Sequence, residues 1–135
     1  MPLIYIITPS NNRRLEQLAD LTRFKNTLLN VPNIFWILIE DSSQKTQKIS
    51  DFLKNSNILH VHLNEETPEE LVIKPDEKSY SKPRGTFQRN KALKWLRDNQ
   101  NNINQNGVIY FADDDNSYDL RLFEEVCIFL ISFIF

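Results

Sequence analysis

Three consecutive aspartates, Asp113, Asp114 and Asp115, follow the apolar run 108–112 and precede Asn116. Neighbouring carboxylates repel one another, by up to about 4 kcal/mol per close pair at an effective dielectric of 20. A divalent cation removes that repulsion, and hard oxygen donors suit Mn²⁺ or Mg²⁺ far better than zinc. A cation held there could bridge a diphosphate and neutralise charge on a departing phosphate. The competing reading is a solvated acidic turn, since Asp and Asn favour turns. Position directly after a buried strand favours the chemical one.

A second group is basic. Arg84 precedes Gly85 at a helix entrance, and Arg89 follows just over one turn later. Helix N-termini attract anions, and arginine grips phosphate oxygens in a bidentate fork. The plainer alternative is an exposed basic helix end making surface ion pairs. A third group lies nearer the N-terminus: Thr8-Pro9-Ser10 after the first apolar run, and Glu40-Asp41 after the second. A strand-end carboxylate such as Asp41 can accept a hydrogen bond from a base N–H or a ribose hydroxyl. It can equally cap the next helix.

The elements that must position these groups are legible in the apolar pattern. Residues 3–7 form a continuous β-rich run closed by the breaker Thr8-Pro9. Leu15, Leu18, Leu21, Phe24 and Leu28 recur at helical spacing across 13–29. Residues 34–39 and 58–63 read as two more strands, with a short amphipathic helix between them marked by Ile49, Phe52 and Leu53. Residues 64–83 lack periodicity and carry Pro68, Pro75 and Pro83, which predicts a long surface loop. A helix over 87–96, a fourth strand over 108–112 and a helix beginning at 119–125 complete the order. Helices between apolar strands predict an α/β fold, a mostly parallel sheet with helices on both faces. Ligands of such sheets bind outside the carboxyl ends of the strands, where Asp41 and the aspartate triplet both fall.

Composition excludes some functions. The net charge of −2 gives no general attraction to nucleic acid or to anionic membrane, so no nucleic-acid partner is expected. One cysteine, Cys127, permits neither an internal disulfide nor a cysteine zinc site, and it has no base to activate it. His60 and His62 share a strand face, but without a third ligand they read as ordinary strand residues. Trp36 reads as core, and Trp95 as packing its helix on the sheet. No N-terminal signal peptide is visible. Residues 126–135 are almost wholly apolar, too few for a spanning helix of about 20 residues. They read either as a buried strand whose partners lie outside this chain or, preferred, as foreign sequence from a truncated or misread gene. One domain, 1–125, followed by this tail, 126–135, is the expected organisation.

Taken together, the motifs resemble a known family. Thr8-Pro9, Glu40-Asp41, Pro83-Arg84-Gly85 with Gln88-Arg89-Asn90-Lys91-Ala92-Leu93, Tyr110-Phe111-Ala112-Asp113-Asp114-Asp115-Asn116 and Leu122-Phe123-Glu124-Glu125 are similar, in order and spacing, to the β-1,3-glucuronosyltransferases of glycosyltransferase family 43. The resemblance runs from Leu3 to about Glu125. It implies a GT-A, Rossmann-like nucleotide-sugar-binding fold and a Golgi type II membrane enzyme whose anchor is not in this chain. It also implies an inverting, Mn²⁺-dependent transfer of glucuronic acid from UDP-glucuronate to a terminal galactose of a protein-borne glycan. By the same resemblance Asp115 is the manganese ligand and Asp113 and Asp114 lie near the uridine. Asp41 contacts uracil, Arg84 and Arg89 belong to the UDP site, and Thr8, Pro9 and Ser10 line it.

Two departures stand out. The family has Thr-Tyr after Thr-Pro, with the ring against uracil, where this chain has Ser10-Asn11, and Asn11 cannot stack as an aromatic does. The family also continues beyond the Phe-Glu-Glu helix into an acceptor-binding half that holds the general base. The resemblance therefore implies a donor site without the base, and little or no transferase activity in this chain alone. Another nucleotide-sugar enzyme, a non-catalytic UDP-binding remnant and a gene product that never folds remain the alternatives. A homodimer of the full-length protein is left open.

Overall fold

Apolar, β-branched runs become strands where helices can cover them on both faces. The computed structural model describes residues 2–104 and 106–133. Strands β1 (Ile4–Asn11), β2 (Ile34–Asp41), β3 (His60–Asn64) and β4 (Val108–Phe111) alternate with helices α1 (Gln17–Leu28), α2 (Gln47–Lys54), α3 (Thr86–Asp98) and α4 (Leu120–Phe133). The strands form one sheet in the order β3-β2-β1-β4, with every pairing parallel. This is an α/β, Rossmann-like arrangement, as the resemblance to a GT-A domain implies. The loop predicted at 64–83 begins one residue later, since Asn64 still belongs to β3, and is interrupted by one 3₁₀ turn at Glu69–Leu71.

Side-chain alternation sorts the core into two layers. On one face Ile4, Ile6, Trp36 and Leu38 meet Leu21, Phe24 and Leu28 of α1, Ile49 and Leu53 of α2, and Phe123 and Cys127 of α4. On the other, Tyr5, Ile7, Ile37 and Ile39 meet Ala92 and Leu96 of α3. Trp36 is fully buried and packs edge-on to Phe24, with ring centroids 5.7 Å apart. Trp95 stacks on Phe35 at 6.0 Å, so both tryptophans act as the sequence predicts. The chain steps from β1 to β2 to β3 on one side, then crosses back to place β4 beside β1. The β1/β4 boundary is thus the point where strand order reverses, and the crevice beyond it is where such sheets bind ligands.

Three local expectations change. The first is that β1 does not stop at Thr8-Pro9 but runs on to Asn11. The carbonyls of Leu3 and Ile7 accept from Val108 and Ala112 of the β4 side. Pro9, two residues on, therefore turns its nitrogen toward a side where β4 has already ended, and a missing N–H costs nothing there. The second is the helix expected from residue 13. It begins at Gln17, and Leu15, at 98% exposure, lies outside it. The third concerns the tail, where Val126 onward continues α4 instead of forming a strand. No Gly or Pro interrupts the run, and short apolar stretches do not by themselves distinguish helix from strand. Ile134 and Phe135 of that tail lie outside the described residues. Among the described residues no helix is long and apolar enough to cross a membrane.

Candidate functional site

The aspartates leave β4 just after Ala112, whose N–H closes the ladder on Ile7 at 3.0 Å. Their environments differ. Asp114 is buried, and its carboxylate accepts from the Ser10 hydroxyl at 2.9 Å, while Gln17 Nε2 donates to the same hydroxyl at 3.0 Å. Burial pushes Asp114 up to about 6, against the lowering effect of the Ser10 hydrogen bond and of Arg14. Gln17 Oε1 is buried without a hydrogen-bond partner, so this network is not closed among the described residues. Asp113 and Asp115, in contrast, keep 45% and 41% of their side chains exposed. Arg89 Nη2 donates to Asp113 at 2.7 Å, and Arg14 Nη1 lies 3.3 Å from Asp115 Oδ2. Tyr118 fastens the segment from below, donating to the Asp113 carbonyl at 3.1 Å.

The arginines are placed by Gly85, which caps α3 in the left-handed region at φ 69°. A Cβ there would sit 2.9 Å from Arg89 Nη1 and 3.2 Å from Pro9 Cγ. Glycine is therefore what lets the entrance of α3 close over Pro9 while Arg89 reaches both the Arg84 carbonyl, at 2.8 Å, and Asp113. The Arg84 side chain is exposed. Gln88, buried on the same helix, donates to the Glu65 carbonyl at 2.7 Å and to Thr67 Oγ1 at 3.2 Å, tying α3 to the long loop.

Asp41 lies one strand away, paired in register with Asn11. It caps no helix. Its two oxygens accept from Thr67 N and Thr67 Oγ1, both at 2.8 Å, and Arg13 Nη1 lies 3.4 Å off. A carboxylate has about four lone-pair sites, so acceptor capacity is left over. A cleft of about 470 Å³ opens at this cluster, lined by Arg13, Glu66, Thr67, Pro68, Glu69 and Val72. Asn11 turns its Oδ1 back onto the Arg13 N–H at 2.9 Å, shaping its own turn.

At the sheet edge Asp113 and Asp115 follow β4 with Arg89 and Pro9 nearby, Arg84 is exposed at the entrance of α3, and Asp41 ends β2 one strand from β1. Ser10 and Asp114 are brought together beneath it. Thr8 is not in the crevice, because its position in β1 points it into the α1/α2 layer. There it is fully buried and accepts the Trp36 indole N–H at 2.9 Å. Sequence reasoning missed Arg14, Gln17, Asp20 and Thr67. A signal existed for two of them: extending the Leu21-Phe24-Leu28 stripe backwards puts Gln17 and Asp20 on the buried face of α1. An inward stripe that turns polar at one end marks a place where the helix serves something other than the core. His62 proves to be a strut. Its Nδ1 meets Ser50 Oγ at 3.0 Å and its Nε2 meets the buried Glu40 at 2.7 Å.

Among the described residues no group of three or more His, Cys, Asp or Glu side chains is arranged to enclose a metal ion. A hard divalent cation does not require one, since Mg²⁺-type sites commonly use one or two carboxylates and complete their shell with phosphate oxygens and water. A half-exposed Asp115 at the rim fits that donor set.

The profile of glycosyltransferase family 43 matches residues 24–128. The chain belongs to glycosyltransferase family 43. The matched span includes α2, α3, β4 and the aspartate triplet, and it runs three residues into the apolar tail. Similar proteins carry one enzyme name. The Homo sapiens galactosylgalactosylxylosylprotein 3-beta-glucuronosyltransferase 1 is 44% identical over 127 residues, 93% of this chain and 38% of that protein. The Caenorhabditis elegans galactosylgalactosylxylosylprotein 3-beta-glucuronosyltransferase is 45% identical over 125 residues, covering 93% and 35%. The Mus musculus galactosylgalactosylxylosylprotein 3-beta-glucuronosyltransferase 3 is 41% identical over 135 residues, covering 93% and 40%. This family-43 chain therefore spans well under half the length of the curated relatives it matches.

Proposed function

We propose that this chain carries the donor site of an inverting glycosyltransferase that moves glucuronic acid from UDP-glucuronate to a terminal galactose of a protein-borne glycan. The observation that carries the proposal is the rim of the β1/β4 crevice. Two half-exposed carboxylates, Asp113 and Asp115, stand there beside Arg89 and the exposed Arg84 at a helix entrance. Membership of the family, and the glucuronosyltransferase names of its relatives, supply the sugar and the acceptor class.

In this reading Asp41 contacts the uracil beside the cleft at Arg13 and Thr67, and Arg84 and Arg89 hold the diphosphate. Asp115 would hold Mn²⁺, which supplies charge neutralisation for the departing diphosphate, and Asp113 stands on the uridine side of it. Asp114 and Ser10 keep the triplet at a fixed height above β1. Asn11, folded into its own turn, offers the base no ring to stack on, so donor affinity rests on the charged groups. The compartment we infer, from the family resemblance alone, is the Golgi membrane.

Calorimetric titration of UDP into the folded chain, with Mn²⁺ and with a chelator, tests the reading. Binding that requires Mn²⁺, and that UDP-glucuronate shares more tightly than UDP-glucose, is the expected result. A folded chain that binds no UDP in Mn²⁺ would leave a family member that has lost its donor site.

A further inference from the structure

Arg14 is not part of any motif, yet it has the most charged partners in the site. It sits in the turn between β1 and α1, where its N–H donates to the Asn11 carbonyl at 3.2 Å. Its Nη2 is fixed to Asp20 Oδ2 at 2.7 Å, while Nη1 lies 3.3 Å from Asp115 Oδ2 and 3.7 Å from Asp114 Oδ1. Asp20 is itself held from the other side by Arg23 at 2.9 Å, and only 11% of its side chain is exposed. The guanidinium is thus aimed at Asp115 by a fixed post on α1.

We propose that Arg14 is a built-in occupant of the cation position, so that Arg14 and a divalent cation bind Asp115 in competition. The inference rests on the reading of Asp115 as the cation ligand and goes beyond it. A Mn²⁺- or Mg²⁺-type ion takes its oxygen at roughly 2.1 Å and brings a shell of other oxygens with it. A guanidinium nitrogen 3.3 Å from the same Oδ2 occupies the space of that shell and repels the ion. Asp20 gives the displaced arginine somewhere to remain.

The consequence is a coupling. Arg14, Arg23 and Arg89 stand against Asp20, Asp113, Asp114 and Asp115, so at rest the cluster sums to about one negative charge when all are ionised. A free cation gains little there, because it must first displace Arg14. A cation arriving with a diphosphate leaves the displaced guanidinium beside an anion that it can pair with, so the cost of displacing Arg14 is offset only when nucleotide is present. Arg14 therefore makes metal binding depend on nucleotide, a reciprocal linkage between the two.

The test is a titration of Mn²⁺ alone, followed by the signal of free Mn²⁺ in electron paramagnetic resonance, with and without saturating UDP. It compares wild type, Arg14→Ala, and Arg121→Ala as a charge control, an exposed arginine paired with Asp119 outside the cluster. Arg14→Ala should bind Mn²⁺ without nucleotide roughly three- to tenfold more tightly, and UDP should then improve its Mn²⁺ affinity less than in wild type. Arg121→Ala should stay near wild type. If Arg14→Ala fails to fold by thermal melting, Arg14→Gln, which can still donate to Asp20 without the charge, carries the same prediction. Unchanged or weaker Mn²⁺ binding would overturn the inference, as would an equal gain in Arg121→Ala. Either of those with Mn²⁺-dependent UDP binding intact refutes Arg14's role and leaves the donor site standing. Absence of any Mn²⁺-dependent UDP binding in wild type refutes both.

Discussion

Two acidic pairs sit on the same sheet edge and are held in opposite ways. At the end of β2, Glu40 is fully buried and accepts from Thr46 N at 2.8 Å, Thr46 Oγ1 at 2.7 Å and His62 at 2.7 Å, while Asp41 accepts twice from Thr67. Beyond β4, Asp113 and Asp115 are half exposed, and their partners are the ends of two long arginines. Main-chain N–H groups and short hydroxyls cannot leave without unfolding a loop. Guanidinium groups on flexible stems can. The β2 carboxylates therefore fix the 42–46 and 64–68 loops, and the β4 carboxylates are partnered only until something more highly charged arrives.

That contrast can be broken by mutation. Glu40→Ala should cost the most stability, on the order of 3 kcal/mol, because it strands buried donors on Thr46 and His62; chemical denaturation would measure it. Burial pushes the Glu40 carboxyl up, but hydrogen bonds from His62 and Thr46 outweigh it and hold it below the usual 4.5. Glu40 thus contributes stability above 4.5 that is lost as pH falls through its lower folded value. The melting advantage of wild type over Glu40→Gln should be constant near neutrality and shrink below pH 4.5. Thr8→Val, which leaves the Trp36 indole without its buried acceptor, should cost about 1–3 kcal/mol and leave UDP affinity untouched. A loss of affinity with no loss of stability would instead return Thr8 to the donor site. Gly85→Ala should cost about 1–2 kcal/mol for the left-handed backbone and weaken UDP binding by displacing Arg89, as calorimetry would show. Arg84→Ala should move the melting midpoint least, within about 0.5 kcal/mol, while lowering UDP affinity about tenfold.

Much of this was legible in the residues. Continuous apolar runs gave strands at 34–39 and 108–112 and put the aspartates at a strand end, although β4 stops at Phe111 and, as an edge strand, leaves Ile109 and Phe111 exposed where a buried strand was expected. What spacing cannot carry is which side chains meet across the sheet. Thr8 looked like a site residue because it stands in the Thr-Pro motif, but strand alternation turns it to Trp36. Arg14 looked like the start of a helix and became the counter-ion of residues a hundred positions away. The apolar tail was ambiguous on composition, and its described part, residues 126–133, continues α4 with no breaker after Leu120.

The most direct test of the division between the two acidic pairs is calorimetric titration of Mn²⁺ and UDP into wild type, Asp115→Ala and Glu40→Gln, each with its melting curve. The account predicts that Asp115→Ala melts like wild type and loses Mn²⁺-dependent binding, while Glu40→Gln melts lower and still binds. Retained binding in Asp115→Ala, or binding lost in a well-folded Glu40→Gln, would contradict it.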